Sequence, residues 1–161
     1  MTRAIVERRA ELARALWIVP YLTGEEVNLL AEEARKRRKG ERDALLILVL
    51  FQTGLRISEA LSLTPFKIES FEGRPVLRIV GKGGKLRVVA LPQRLADKLR
   101  AYAYQNNIKP DQKFFPINRQ RAWQILKEVA KKGGIAKKVY PHLLRHSDAI
   151  ERLRQTGNPK A

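Results

Sequence analysis

Residues 44–51 read Ala-Leu-Leu-Ile-Leu-Val-Leu-Phe, apolar on every face. Whether they form a buried helix or a buried strand decides the fold. Periodicity cannot separate the two, because a fully buried segment has no polar side. The flanks do separate them. The run is rich in Leu, charged residues lead into it from Glu41, and Thr53-Gly54 follows it. Leu loses little rotamer freedom in a helix, and Gly commonly closes one. These features predict a helix that stops at Gly54. A second helix is expected over 58–63, with Ser58 as N-cap, before Pro65. Arg56 falls in the tight junction between them, and its neighbours Leu55 and Ile57 read as buried. An Arg there either caps carbonyls of the preceding helix or is held with its head at the rim of the core.

Working upstream, Thr23 with Glu26 three residues later makes a capping box, and Leu22 and Val27 stand where a hydrophobic staple puts them. That helix is expected to run through Leu30 and Ala34 into the basic residues 35–39, a solvated end that complements the helix dipole, and to be closed by Gly40. Residues 3–17 place Ile5, Leu12 and Leu16 near helical spacing, so 1–20 is expected to be a linker or an N-terminal helix remnant.

Downstream, 76–80 and 86–91 are β-rich runs around Gly81-Lys82-Gly83-Gly84-Lys85, the clearest hairpin in the chain. Its tip is either a solvated turn or a β-finger that lays Lys along a nucleic-acid groove. It is not a P-loop, because the spacing is wrong and a strand follows it. Helices are expected over 93–105 and from Asn118 as N-cap to Gly133-Gly134, with Phe114-Phe115 as an apolar plug between them. Trp123 is read as core rather than as a base-stacking residue. A last helix begins near His142 and stops near Gly157, and Asn158-Pro159 announces another start.

Charge narrows the partners. Thirty-three Lys and Arg against sixteen Asp and Glu give a net charge of +17 in 161 residues. That balance points to a polyanion: DNA, RNA or, less often, an anionic membrane. No apolar run reaches membrane-spanning length. Cysteine is absent, which excludes disulfides, a Cys-based zinc site and a thiol nucleophile, and fits a cytoplasmic protein. Pro141 to His146 reads PHLLRH and puts His142, Arg145 and His146 at i, i+3 and i+4, one face of a helix. Arg offers a planar fork to phosphate oxygens, and His moves protons near neutral pH, so the set suits a phosphodiester. The same stretch also fits a packed His146 and a solvated Arg145. A zincin-like site would need a Glu between the two His residues, and none is there.

TGLRISEALSL at 53–63, GKGGKLRVVALP at 81–92 and PHLLRH at 141–146 stand in the order and spacing of the tyrosine recombinase (phage integrase) catalytic domain, which 21–161 resembles. The alternation of charged and apolar residues is similar to that of archaeal members, implying an archaeal or viral source. The resemblance implies a mainly α domain with a small antiparallel β-hairpin sheet. It implies Arg56, Lys82, His142 and Arg145 as catalytic residues, with His146 and Lys85 in support, and Lys82, Lys85 and Arg87 on DNA. It implies double-stranded DNA as partner, together with further copies or an intact recombinase, and no metal or cofactor. Family members attack a phosphodiester with Tyr, form a 3′-phosphotyrosine and reseal it with another strand's hydroxyl. The Arg forks would stabilise the pentavalent state, Lys82 would protonate the leaving 5′-oxygen, and His142 would manage the Tyr proton.

Two departures stand out. Asp148 replaces the family's usual apolar or aromatic residue, and the Leu-Gly-His motif and nucleophilic Tyr are expected beyond Ala161. The chain is therefore expected to lack its nucleophile, to be inactive alone, and to bind DNA, associating with the nucleoid. Two rivals stay open: a decayed integrase that only binds DNA, and a basic RNA-binding module.

Overall fold

The computed structural model describes residues 21–156. The expected N-terminal helix or linker and the start at Asn158-Pro159 lie outside the described residues. The described chain forms α1 (Gly24–Arg35), α2 (Gly40–Thr53), α3 (Ile57–Leu61), β1 (Ile68–Phe71), β2 (Arg74–Val80), β3 (Leu86–Ala90), α4 (Gln93–Gln105), α5 (Arg119–Lys132) and α6 (Pro141–Thr156). It is mainly helical with a small antiparallel sheet, as expected.

The run at 44–51 is helical and forms the axis of the core. Every residue from 44 to 50 is buried, and α1, α4 and α6 all pack on α2. Gly54 ends the helix in the left-handed conformation, φ +68°, with its N–H on the Leu50 carbonyl. α1 begins with the expected reciprocal cap. Thr23 Oγ1 accepts the Glu26 N–H, and Glu26 Oε1 accepts the Thr23 N–H, each at 3.2 Å. Leu22 and Val27 are both buried beside it.

Two boundaries differ from expectation. Gly40 opens α2 instead of closing α1. A Cβ there would lie 2.3 Å from the Arg35 carbonyl oxygen, so only glycine lets the two helices turn this tightly. α3 is capped two residues early, with Arg56 rather than Ser58 as N-cap. The reason is Glu59, whose Oε1 reaches back to accept the Arg56 N–H at 2.9 Å and fixes the helix start there.

The sheet has order β1-β2-β3, all antiparallel. The expected hairpin is β2–β3, with Val76 opposite Ala90 and Val80 opposite Leu86. β1 is an addition. It pairs Phe71 with Arg74 across Glu72-Gly73, both at positive φ (51° and 77°), the turn geometry that matches strand twist.

Phe114 and Phe115 plug the core, and the Phe114 N–H bonds the Leu63 carbonyl. Asn118 Oδ1 accepts the Arg121 N–H and caps α5. Trp123 is not core: it is 41% exposed, and its ring stacks on Tyr140 with centroids 5.4 Å apart. An indole on the rim of a charged helix face finds a flat aromatic partner more readily than room in a filled core.

The entry to α1 is fastened to α6. The Leu22 N–H donates to Ser147 Oγ at 2.7 Å, and that hydroxyl donates to the Leu143 carbonyl at 2.7 Å, all buried. Lys137 Nζ adds bonds to the Tyr21 carbonyl and to Glu26 Oε1, each 2.8 Å.

Candidate functional site

The N-cap of α3, the first residue of α5 and the first turn of α6 meet at a pocket of about 210 Å³. Arg56, Ser58, Arg119, His142 and Arg145 line it, and no carboxylate does. Each side chain is there for a local reason. Arg56 must be extended at an N-cap (φ −67°, ψ 151°), and buried Leu55 and Ile57 pin it on both sides, which leaves its side chain exposed. Pro141 opens α6 with no N–H to lose, and His142 and Arg145 follow three apart on one face.

Glu59 organises the charge behind this pocket. It is 7% exposed and bonds the Arg87 guanidinium through both oxygens, at 2.5 and 2.9 Å. The Arg87 bonds, with help from the Arg56 N–H, hold its carboxyl below the ordinary range against the opposing effect of burial. The same pair raises the pKa of Arg87. Arg87, expected on DNA, thus has its fork occupied and joins β3 to α3.

Arg145 is half-buried. Burial first, and then the like charge of Arg56, press its pKa down, with Glu59 opposing. Guanidiniums that repel one another in a carboxylate-free pocket gain when an anion enters between them.

The remaining sequence-derived residues fall outside the pocket lining. Lys82 and Lys85 are exposed on the β2–β3 tip. The base of the tip nevertheless lies beside the site: a Cβ on Gly81 would lie 3.2 Å from Arg87 Nη1 and 3.8 Å from Glu59 Oε2. His146 does not line the pocket, and its buried Nε2 has no hydrogen-bond partner among the described residues. Asp148 packs where a Cβ on Gly54 would meet its Oδ2 at 2.5 Å, and it accepts a 3.2 Å bond from Arg152. Burial pushes its carboxyl up, and Arg152 and Arg145 oppose that. None of Tyr21, Tyr102, Tyr104 and Tyr140 lines the pocket.

Sequence reading missed Arg119 and Glu59. Glu59 had a signal, since its spacing from Arg56 is that of a capping box. Arg119 had none beyond following the N-cap Asn118, because its role depends on three elements meeting.

Over residues 20–161 the chain matches the Phage integrase family, and it belongs to that family. It is 37% identical over 142 residues to the tyrosine recombinase XerA of Thermococcus kodakarensis, covering 83% of this chain and 49% of that protein. It is 38% identical over 140 residues to XerA of Pyrococcus furiosus, covering 82% and 47%. A crystal structure of XerA recombinase matches with a TM-score of 0.72 at 25% identity, over 87% of this chain and 53% of that one. XerH site-specific recombinase, in a pre-cleavage complex with its difH substrate, shares the fold with a TM-score of 0.73 at 23% identity, over 87% and 44%. The chain spans about half the length of the curated relatives it matches.

Proposed function

We propose that 21–161 is the phosphate-activating catalytic domain of a site-specific tyrosine recombinase acting on double-stranded DNA. The observation that carries this is the convergence of Arg56, from the N-cap of α3, with His142 and Arg145, from α6, on one carboxylate-free pocket. The two guanidiniums bind the non-bridging oxygens of the scissile phosphate and stabilise the charge of the pentavalent state. His142 handles the proton of the attacking hydroxyl. Lys82, on a tip whose base lies beside Arg87, protonates the leaving 5′-oxygen, and Lys85 steadies the backbone. The attacking Tyr comes from outside the residues that line the pocket, so the chain alone binds and does not cleave. It works with further copies or an intact recombinase, on nucleoid DNA; DNA as the partner is supported by XerH, which shares the fold and is bound to its difH substrate.

Duplex binding measured across a salt series tests the reading. The log of affinity should fall linearly with log salt, by about 0.9 per phosphate neutralised. Arg56→Ala and Arg145→Ala should each weaken binding about tenfold. A flat salt response, or tighter binding to RNA than to duplex DNA, would overturn it.

A further inference from the structure

We infer that Arg119 is a third guanidinium on the same phosphodiester as Arg56 and Arg145, a binding residue of the site and not merely a surface charge. The inference rests on the recombinase reading above and names what that reading left unassigned.

Arg119 is the first residue of α5 and lines the wall of the pocket shared with Arg56, His142 and Arg145. Its surroundings argue against a structural role. It is exposed, so it supports no packing. Arg121, two residues on, is tied to Glu128 at 3.8 Å and to Gln124 at 3.3 Å. Arg37 and Arg42 share Asp43, and Arg87 has Glu59. Arg119 has no carboxylate partner among the described residues, and neither do Arg56 and Arg145.

Arg56 presses on Arg145 from across the cavity, Glu59 and Asp148 oppose it only from outside the lining, and Arg119 adds a third cation at the wall with no carboxylate beside it. An anion with several oxygens offsets that repulsion. A cavity of about 210 Å³ takes one phosphodiester group, so its walls face the same anion. A tetrahedral phosphate offers two non-bridging oxygens, each with more than one lone pair, and three forks can share them. The geometry also brings Arg119 in from α5, whereas Arg56 comes from α3 and Arg145 from α6. The anion is then gripped from three sides and cannot slide along any one helix.

Two measurements test this on the intact chain. The first titrates inorganic phosphate while following the ring protons of His142, which lines the same pocket. Wild type should show a saturable shift. Arg119→Ala should need about tenfold more phosphate, and Arg119→Lys an intermediate amount, because Lys keeps the charge and loses the fork. Arg94→Ala, an exposed arginine beside a different groove, should leave the titration unchanged. The second follows duplex affinity against salt for Arg56→Ala, Arg119→Ala and the double variant. If the two share one phosphate, the double variant loses at most about 0.9 of the slope; if each holds its own, it loses about 1.8.

The inference is overturned if Arg119→Ala titrates phosphate like wild type, or if the double variant loses the larger slope. It is also overturned if wild type binds duplex DNA with the expected salt dependence and shows no phosphate shift at His142. Loss of salt-dependent duplex binding by wild type itself would instead remove the recombinase reading. Arg119→Lys retains charge and helix propensity, so its intermediate behaviour separates loss of the fork from loss of fold.

Discussion

Glu59 holds the Arg56 N–H and both arms of the Arg87 fork with one nearly buried carboxylate. Removing its charge leaves Arg87 unpaired within the field of Arg56 and Arg145. It also loosens the N-cap that aims Arg56. Glu59→Gln should cost about 1–2 kcal/mol of stability at neutral pH, discounted because the Arg87 side chain is 38% exposed. The folded pKa of Glu59 lies below its ordinary 4.5. Its contribution is therefore fully present above pH 4.5 and is lost as pH falls through the lower folded value. Urea midpoints of wild type and Glu59→Gln should differ most at neutral pH and converge as the pH drops toward about 3. A difference that stays constant down to that pH would mean that the carboxylate's charge contributes nothing.

At the scale of elements, the helices rest on tight approaches as much as on apolar burial. α1 and α2 meet at Gly40, where the obstructing group is a backbone carbonyl and not a side chain that could swing away. Gly40→Ala should therefore open the turn at a cost of about 1–3 kcal/mol, read as a lower urea midpoint. An unchanged midpoint would show that the turn relaxes freely. This turn also shows what the sequence could and could not disclose. α2, α4 and α5 were legible because composition and caps are local: ALLILVLF with Gly54 behind it, Gln93 to Gln105, and Asn118 as an N-cap. The β2–β3 hairpin was legible for the same reason. Gly40 was misplaced because a glycine near a helix end reads alike whether it stops one helix or admits another. β1 was missed although Glu72-Gly73 is a recognisable hairpin turn, since its four residues show little alternation. Trp123 was misplaced because helical spacing does not say whether the neighbouring face is filled. Arg56, His142 and Arg145 were found through their motifs. Arg119 could not be, because only the assembled fold brings α5 to α3 and α6.

Among the described residues, the pocket gathers Arg56, Arg119, His142 and Arg145, and no Tyr hydroxyl lines it. Tyr102 is half-buried, and burial pushes its pKa up, away from a phenolate. Tyr104 is 88% exposed on the same helix, Tyr140 is stacked on Trp123, and Tyr21 sits at the α1 entry under Lys137. A nucleophile must approach in line with the leaving oxygen at close range, and none of these borders the pocket. The chain should therefore form no covalent adduct with a nicked duplex that traps phosphotyrosine, while binding that duplex normally. Supplying a segment that carries a family-type Tyr, in the same chain or as a separate one, should restore the adduct. It should do so only when Arg56 and Arg145 are intact, since attack requires that the phosphate charge be neutralised first. A denaturing gel of the reaction decides between the outcomes. An adduct from the 161-residue chain alone, mapped to Tyr140 or any other of its tyrosines, would mean that α6 or its neighbours move on DNA to bring that residue in line, and the division of labour argued here would be wrong.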